Sequence, residues 1–421
     1  MSATIKTSVE TAVKRLEGEA VQLLQELVRI PSVNRPPTGD EKQVQEFYAE
    51  VLRRLGLAVD LFEPNDVPAF RDHPGRLRDH DMAGRPNVAG VLKGTGGGRS
   101  LMLLAHADVE VPGDASLWID GNPFSGALRD GRVYGRGSGD DKSGMMINAM
   151  IVRILQDCGI RLHGDLTVAS ASDEERGGGN GTVALLAKGY RADACINVDG
   201  INGNMALSNL GGGGCALELL VPSPVPDGTP LIEYFDRVRE KLYALRTERE
   251  TEFAPHPLYG LPPFNSHPVR LVDIVMAVDD YTHGTFQVWF YLLPGESEDA
   301  FKSRLEQAVA GAAGPGACKV HWQSRLLPSS EVARDHPFTV SLLSAYEQAA
   351  ARSARVTGSP MSDMGLVSRF GSMPCICHAV TRWGVEGMAH QPNEYVEVDK
   401  LMECVKTVVF CALDWCGHSP P

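Results

Sequence analysis

Two residues with the chemistry of metal ligands follow directly after an apolar, strand-like run. The run Leu101–Ala105 leads into His106-Ala107-Asp108. Because side chains alternate along a strand, His106 and Asp108 should lie on the same side. That arrangement suits an imidazole that binds a metal ion while a neighbouring carboxylate fixes its orientation. The spacing therefore indicates metal chemistry at the end of a strand.

Further carboxylates and one more histidine occur at similar boundaries. Glu174 and Glu175 follow a second strand-like run, and their side chains must project in different directions, so one could bind metal while the other transfers a proton. Asp140 stands in a glycine-rich turn before a predicted helix, Asp199 ends another apolar run, and His390 lies near the C-terminus. Taken alone, each residue has an ordinary structural explanation such as a helix cap or a solvated loop. Mixed imidazole and carboxylate ligands suit zinc, manganese or cobalt, so jointly they predict one or two divalent transition-metal ions.

The elements that must position these residues have the pattern of an α/β protein. Short apolar runs cover Asn87–Leu92, Leu101–Ala105, Leu166–Ala171 and Ala194–Val198, and a helix-like stretch covers Lys142–Leu155. Such an alternation predicts a largely parallel sheet with helices on both faces. Catalytic groups in these sheets gather where the strands end.

The sequence pattern changes after residue 211, which indicates an inserted domain. We predict a catalytic domain formed by residues 1–211 and 329–421, interrupted at 212–328 by an α+β two-layer insert that acts as a lid or dimerisation domain. The insert is predicted to contain, in order, a strand, a helix, a strand and a helix: Cys215–Val221, Leu231–Leu245, Thr285–Leu293 and Glu298–Ala310.

Composition restricts the partners and the cellular location. The formal charge is −13, and no basic stripe interrupts it, which disfavours nucleic acid and anionic membranes as partners. No long uncharged apolar run or signal peptide is present, and the 9 cysteines have no metal-binding spacing. We therefore expect a cytoplasmic enzyme with reduced, mostly buried cysteines and a small-molecule substrate.

Five motifs in order give the chain a resemblance to a known family. They are the sequences HAD at 106–108, YGRGSGD at 134–140, DEERGG at 173–178, a later acidic residue at 199, and AHQPNEYV at 389–396. The segments LVRIPSVN at 27–34 and WIDGNPF at 118–124 extend the similarity over nearly the whole chain. The sequence resembles the M20 metallopeptidase and deacylase family, which includes acetylornithine deacetylase and succinyl-diaminopimelate desuccinylase.

The resemblance implies a role for each residue of the predicted site. His106, Asp140 and Asp199 would bind one ion, and Asp140, Glu175 and His390 a second, with Asp140 bridging the two.

The resemblance also implies two roles beside the ligands. Asp108 would orient His106, and Glu174 would be the general base. Members of this family hydrolyse carbon–nitrogen bonds, most often amides, and assemble through the inserted domain. We therefore expect a homo-oligomeric, metal-dependent amidohydrolase or deacylase acting on a small carboxylate-bearing substrate.

The sequence departs from the family where relatives recognise substrate. Residues 219–226 lack the histidine that relatives place at the start of the insert, so the oxyanion-polarising group is unassigned. Tyr291 and Gly365 stand where relatives have arginines. Arg369 and Arg382 are possible substitutes, and each has the alternative of a structural or surface role.

The composition of the insert leaves the scissile bond open. His283 precedes a predicted strand and is a candidate substrate contact, with an ordinary loop as the alternative. Tyr281, Phe286, Trp289 and Phe290 could line an aromatic subsite or form the insert's core. A branch of the family resembles aminohydrolases that release ammonia from electron-poor arylamines such as 5-nitroanthranilate, and this activity is the second hypothesis. A noncatalytic metal-binding relative is the third, and retention of the predicted base argues against it.

Overall fold

The computed structural model describes residues 2–221, 229–260, 267–276, 282–312 and 316–419. The helices of these residues are α1 Ala3–Arg15, α2 Glu17–Val28, α3 Lys42–Arg54, α4 Pro68–Arg71, α5 Lys142–Asp157, α6 Asn180–Lys188, α7 Thr229–Phe253, α8 Glu298–Ala310, α9 Pro337–Ala350, α10 Asp363–Gly371 and α11 Val398–Cys416.

The strands of the described residues form two larger sheets and three small ones. They are β1 Asn34–Arg35, β2 Thr38–Gly39, β3 Ala58–Phe62, β4 Asn87–Leu92, β5 Leu101–His106, β6 Ala127–Arg129, β7 Arg132–Tyr134, β8 Arg161–Leu162, β9 Leu166–Ala171, β10 Ala194–Asn197, β11 Met205–Asn209, β12 Gly211–Leu220, β13 Val269–Met276, β14 His283–Leu292, β15 Ala317–Trp322, β16 Ser330–Glu331, β17 Val356–Ser359, β18 Cys375–Cys377, β19 Tyr395–Glu397 and β20 His418–Ser419.

The central sheet has the order β16-β11-β18-β10-β5-β9-β4-β3, with β17 also paired to β11. Its middle strands β18, β10, β5 and β9 are parallel, whereas β4 and β3 pair antiparallel at one edge and β16 at the other. The predicted α/β class is confirmed. The sheet is mixed, and its parallel part lies in the middle, where the predicted site residues follow the strands.

Helices cover both faces of the central strands. Every residue of β5 and β9 is buried, and because alternate side chains point to opposite faces, neither face can be open to water. Helix α5 packs on β5 and against α2 and α11, whereas α6 packs on β4 and β9 and against α4 and α10. The largest apolar core of the protein lies in these layers.

The second sheet is antiparallel and has the order β13-β14-β12-β15. Burial alternates residue by residue along β14, so one face of the sheet is packed and the other is not. Helices α7 and α8 pack beside these strands around a separate apolar core. Strands β13 and β15 were not predicted from the sequence.

Two features predicted from composition can be compared with the structure. Among the described residues no helix combines the length and apolar character needed to cross a bilayer. All 9 cysteines are free within the described part of the chain, and 8 of them are buried while Cys318 is partly exposed. Tyr281 and residues 222–226, which carried part of the argument about substrate recognition, lie outside the described residues.

Candidate metal centre

The predicted site residues meet at one edge of the central sheet because their strands are neighbours. Strand β5 ends at His106, β9 ends shortly before Glu174 and Glu175, and β10 ends shortly before Asp199. These strands are adjacent and parallel in the order β10-β5-β9, so their C-terminal ends lie side by side. This is the edge at which parallel α/β sheets bind ligands.

His106, Asp140 and Asp199 form the first group of donors. One donor atom from each lies within 4.8 Å of the others. The Nε2 atom of His106 is 3.0 Å from Oδ1 of Asp140, while its Nδ1 atom is 2.9 Å from the backbone carbonyl oxygen of Asp108. A hydrogen bond from Nδ1 to that carbonyl leaves the Nε2 lone pair available to a metal ion.

The carboxylate of Asp108 positions both glutamates of the site. Its Oδ1 atom accepts a hydrogen bond from the backbone amide of Glu174 at 3.0 Å, and Oδ2 accepts from that of Glu175 at 2.9 Å. The side chain of Asn34 donates to Oδ2 at 2.7 Å. Burial alone would raise the pKa of Asp108, but the imidazole of His106, whose Nδ1 atom is 3.6 Å from Oδ1, and the charge of Arg85 lower it to about 2. Asp108 is therefore a charged anchor behind the donor atoms.

Glu175 and His390 form a second group of donors with Glu110. The three donor atoms lie within 4.8 Å of one another, and Nε2 of His390 is 3.1 Å from Oε2 of Glu175 and 3.2 Å from Oδ2 of Asp140. The two carboxylate oxygens of Asp140 thus face different histidines. Sequence reasoning missed Glu110, whose carboxylate forms an ion pair with Arg176 at 2.5 Å.

The charges of the site fit bound divalent cations. Four carboxylates, Asp140, Glu174, Glu175 and Asp199, face two imidazoles. Burial and neighbouring carboxylates raise the pKa values of Glu175 and Asp199 to about 7, because buried like charges repel. The buried Nε2 atom of His390 is close to Glu175 and Asp140 but is not aligned for a hydrogen bond with either, so it has no hydrogen-bond partner in the described part of the chain. A bound metal ion would give it one. The donor set therefore fits one or two divalent ions.

Glu394 holds the loop that presents Asp140. Its Oε1 atom accepts hydrogen bonds from the backbone amides of Gly137, Gly139 and Asp140 at 3.1, 2.9 and 3.1 Å. Its Oε2 atom is 2.5 Å from the guanidinium of Arg136, and both side chains are 1% exposed. The motif around His390 contained this glutamate, but the sequence alone assigned it no partner.

A buried ion network supports the segment before Glu174. The guanidinium of Arg85 lies 3.0 Å from Asp173 and 2.5 Å from Glu41, and all three side chains are 0% exposed. His80 lies 2.8 Å from the same oxygen of Asp173. Asp173 is thereby fixed directly beside the predicted general base.

A cavity of about 400 Å³ opens over the donor atoms. Arg270, Trp289 and Tyr291 line it from the second sheet, and Arg176 and Trp383 line it from the catalytic domain. Arg270 pairs with Trp289 across β13 and β14, and its guanidinium is 3.2 Å from the hydroxyl of Tyr291. Arg270 therefore reaches the cavity from β13, the strand that pairs with the strand of Tyr291. Its guanidinium lies beside Tyr291, the residue that stands where relatives have an arginine.

The three predicted substrate-binding residues do not line this cavity. Nε2 of His283 is 3.2 Å from the carboxylate of Glu218, on the insert sheet. Arg369 is exposed in the last turn of α10. Arg382 lies 3.4 Å from Glu397 in the wall of another cavity. The structure brings Arg270 and Arg176 to the site instead.

Gly365 is explained by close backbone packing. A Cβ atom at this buried position would collide with the carbonyl oxygen of Pro328 and come within 3.0 Å of the Asn209 side chain. A larger residue would require the chain between the insert and β16 to move. The tight contact with Pro328 therefore explains why this chain has a glycine where relatives have an arginine.

A mixed α/β sheet with imidazole and carboxylate donors at its parallel strand ends is typical of a metal-dependent enzyme. Residues 102–414 match the model of peptidase family M20/M25/M40, and the chain belongs to this family.

Individual relatives agree with this membership. The chain is 24% identical to an N-formyl-4-amino-5-aminomethyl-2-methylpyrimidine deformylase of Bacillus subtilis, over 98% of both chains. It is 34% identical to a succinyl-diaminopimelate desuccinylase of Methylobacterium nodulans, over 43% of this chain and 42% of that one. Its fold is similar to that of the dipeptidase Dug1p from Saccharomyces cerevisiae, with TM-score 0.74, 14% identity and 100% coverage of both chains. The chain is a metal-dependent hydrolase that acts on carbon–nitrogen bonds.

Proposed function

We propose that the donor residues divide into two ion sites that share Asp140. His106, Asp140 and Asp199 would hold one ion, and Asp140, Glu175 and His390 the other, which is supported by the short distances within each group. Zinc, manganese or cobalt suits this mixture of ligands. Such an ion supplies a water molecule of lowered pKa and polarises the group under attack.

Glu174 is proposed as the general base. Its carboxylate lines the cavity, is 13% exposed and lies 3.8 Å from His106, while Asp108 holds its backbone amide. Burial raises the pKa of Glu174 well above its ordinary value, although His106 opposes the shift. A carboxylate of raised pKa is suited to accept a proton from water and return it to a leaving nitrogen.

The proposed substrate is a small amide whose body is planar and carries an anionic or strongly polar group. The observation that carries this proposal is the wall formed by Arg270, Trp289 and Tyr291 opposite the donor atoms. Tryptophan and tyrosine rings favour a flat substrate, and the guanidinium favours an acceptor group on it. The full-length similarity to a deformylase named for an N-formyl aminomethylpyrimidine supports an N-acylated amine that is carried by an aromatic ring.

An arylamine aminohydrolase is the second candidate, and the same aromatic wall favours it. Displacement at a ring carbon spreads negative charge into the ring and its electron-withdrawing group. This reaction therefore depends less on a hydrogen-bond donor to a carbonyl oxygen. Relatives supply such a donor from the segment that corresponds to residues 219–226, and residues 222–226 lie outside the described part of the chain.

A substrate screen on the metal-loaded enzyme separates these activities. The panel contains N-formyl and N-acetyl aminopyrimidines and anthranilates, nitroanthranilates, dipeptides and N-acetyl amino acids. We expect turnover of the N-acylated aromatic amines and poor turnover of the dipeptides and N-acetyl amino acids. Release of ammonia from nitroanthranilates would favour the second candidate. Robust hydrolysis restricted to N-acetyl amino acids would contradict the proposed aromatic subsite.

We also propose that the protein is a cytoplasmic homo-oligomer assembled through the insert. Support for assembly comes from β13, which is at the end of its sheet and exposes Ile274 by 52% and Val275 by 60%. Exposed edge strands with apolar side chains are typical pairing surfaces. The free cysteines suit a reducing compartment.

A further inference from the structure

A second cavity of about 350 Å³ lies in the catalytic domain behind the active site. Its wall comes from the segment after β10, the end of α9 with the residues that follow it, the segment after β18 and the first two turns of α11. This volume is within the range of small-molecule sites. None of the proposed metal ligands lines it.

The cavity is cationic although the whole protein has a formal charge of −13. Four basic residues line it, Arg352, Arg355, Arg382 and Lys400, against two acidic ones, Glu397 and Glu403. Arg352 pairs with Glu403 at 2.8 Å and Arg382 with Glu397 at 3.4 Å. Within the described residues the exposed side chains of Arg355 and Lys400 form no ion pair, although Lys400 is close enough to Glu403 to interact with its charge, so the wall keeps an excess of two positive charges.

A buried histidine adds an unused polar atom to this cavity. His378 is 1% exposed, and its Nδ1 atom is 3.1 Å from the carbonyl oxygen of Asn204. Its Nε2 atom is buried and has no hydrogen-bond partner in the described part of the chain. Because Nδ1 donates to that carbonyl, Nε2 of the neutral imidazole is an acceptor, so it could accept a hydrogen bond from a hydroxyl group of a ligand but would not bind an anionic oxygen.

Only two chain segments separate this cavity from the active-site cavity. Ile201 and Thr381 line the active-site cavity, whereas the next residues, Asn202 and Arg382, line the second one. The two segments pair through a bridge between Ile201 and Thr381 and a 2.8 Å hydrogen bond from the Asn202 amide to the Thr381 carbonyl.

The same wall continues to the proposed ligand His390. The carbonyl oxygen of Arg382 accepts a 2.9 Å hydrogen bond from the amide of Ala389, directly before His390. Asn202 also bonds the backbone of Trp383, whose ring centroid is 5.6 Å from that of His390. A ligand that contacts Asn202 or Arg382 would therefore touch the loop that carries a metal ligand.

We propose that this second cavity is an effector site for a small dianion, whose binding orders the 381–390 loop. The ligand class is a dicarboxylate or a phosphate monoester, because both present two anionic oxygens to Arg355 and Lys400. The inference does not depend on which amide or amine the active site cleaves.

Calorimetric titration of the metal-loaded enzyme with succinate and with inorganic phosphate, at constant ionic strength, tests the site. We expect saturable binding of at least one probe, and its identity distinguishes the two ligand classes. The double variant Arg355→Gln/Lys400→Gln should weaken binding at least about 10-fold, the usual effect of losing charge-assisted hydrogen bonds. The control Lys14→Gln/Arg334→Gln removes the same charge from exposed positions outside the cavity and should bind as wild type does.

Hydrogen exchange of peptides from residues 381–390, measured on the same samples, tests the coupling between ligand binding and the order of this loop. The bound probe should slow exchange in wild type and in the control, and should have no such effect in the double variant. Absence of saturable binding, or equal binding by wild type and the double variant, would overturn the site. Binding that is lost in the double variant but leaves loop exchange unchanged in wild type would overturn the coupling.

Discussion

At the scale of single residues, the site combines donors that the sequence predicts with supports that it does not. His106, Asp140 and Glu175 stand in short motifs whose order and spacing are visible in the chain. Glu394 and Arg270 act through partners far away in sequence, on the Asp140 loop and beside Tyr291. Such contacts depend on how the chain folds back, so local spacing could not reveal them.

Replacing the proposed base tests the division of roles between the two glutamates. Glu174→Gln should retain metal and fold but lose at least about 10²-fold in kcat, the usual scale for removing a general base. Glu175→Gln should instead lower the metal content, because its carboxylate is within 3.1 Å of His390. Metal analysis and steady-state kinetics on both variants check this. A near wild-type rate for Glu174→Gln, with Glu175→Gln inactive yet fully loaded, would reverse the assignment.

Glu394 should control metal affinity without contacting the ion. Glu394→Gln removes the charge that pairs with buried Arg136 and weakens the hold on the Asp140 amide. Supporting residues of this kind typically change metal affinity by about 10–100-fold. Competition with a metal indicator measures the Kd, and circular dichroism checks the fold. An unchanged metal Kd in the folded variant would show that the Asp140 loop holds its position without Glu394.

Substrate recognition should depend on Arg270 and not on Arg369. Arg270→Gln is expected to raise KM for an anionic substrate about 10-fold or more, because a charge-assisted hydrogen bond is lost in the cavity. Arg369→Gln is the matched comparison, since this side chain is exposed in the last turn of α10 and does not line the active-site cavity. Steady-state kinetics on the best substrate from the screen decides between them. If the comparison variant raised KM more than Arg270→Gln did, the substrate-binding role predicted from the sequence would be supported instead.

At the scale of elements, α8 was predicted with its bounds, whereas β13 and β15 were missed. The predicted helix Glu298–Ala310 has the bounds of α8, because Ser297 caps its first turn through the Ala300 amide. The apolar residues from Val9 to Ile30 follow one helical period, which predicts a single helix, but the chain forms two helices there, α1 and α2, which meet at Leu16. Strand β13 was missed because Arg270 and Asp273 interrupt its apolar run and a register shift breaks the alternation. That omission also hid the arginine of the cavity.

The exposed edge strand leads to a prediction about assembly. Ile274→Lys on β13 places a charge on the proposed interface and should convert the oligomer to monomers, as measured by light scattering after gel filtration. Val340→Lys is the control, since Val340 is 53% exposed on α9, outside the insert. Wild-type protein that is monomeric at all concentrations, or an Ile274→Lys protein of unchanged mass, would contradict assembly through β13.

At the scale of the whole molecule, two sheets share one site. The central sheet supplies the donors at its parallel strand ends, and the second sheet supplies Arg270, Trp289 and Tyr291 over them. The class of enzyme was predictable because the donors stand in short motifs whose order and spacing resemble those of a known family, and three of them, His106, Glu175 and Asp199, lie at or shortly after the ends of neighbouring strands. The substrate was not, because its subsite lies between distant segments of the chain.

Removal of the metal tests the central claim most directly. Enzyme treated with a chelator and verified as metal-free by elemental analysis should lose turnover of its best carbon–nitrogen substrate, because His106, Asp140, Glu175, Asp199 and His390 are proposed to hold the ions. Addition of Mn²⁺, Co²⁺ or Zn²⁺ should restore it, with one or two ions bound per chain. Undiminished turnover by the verified metal-free enzyme would contradict the account.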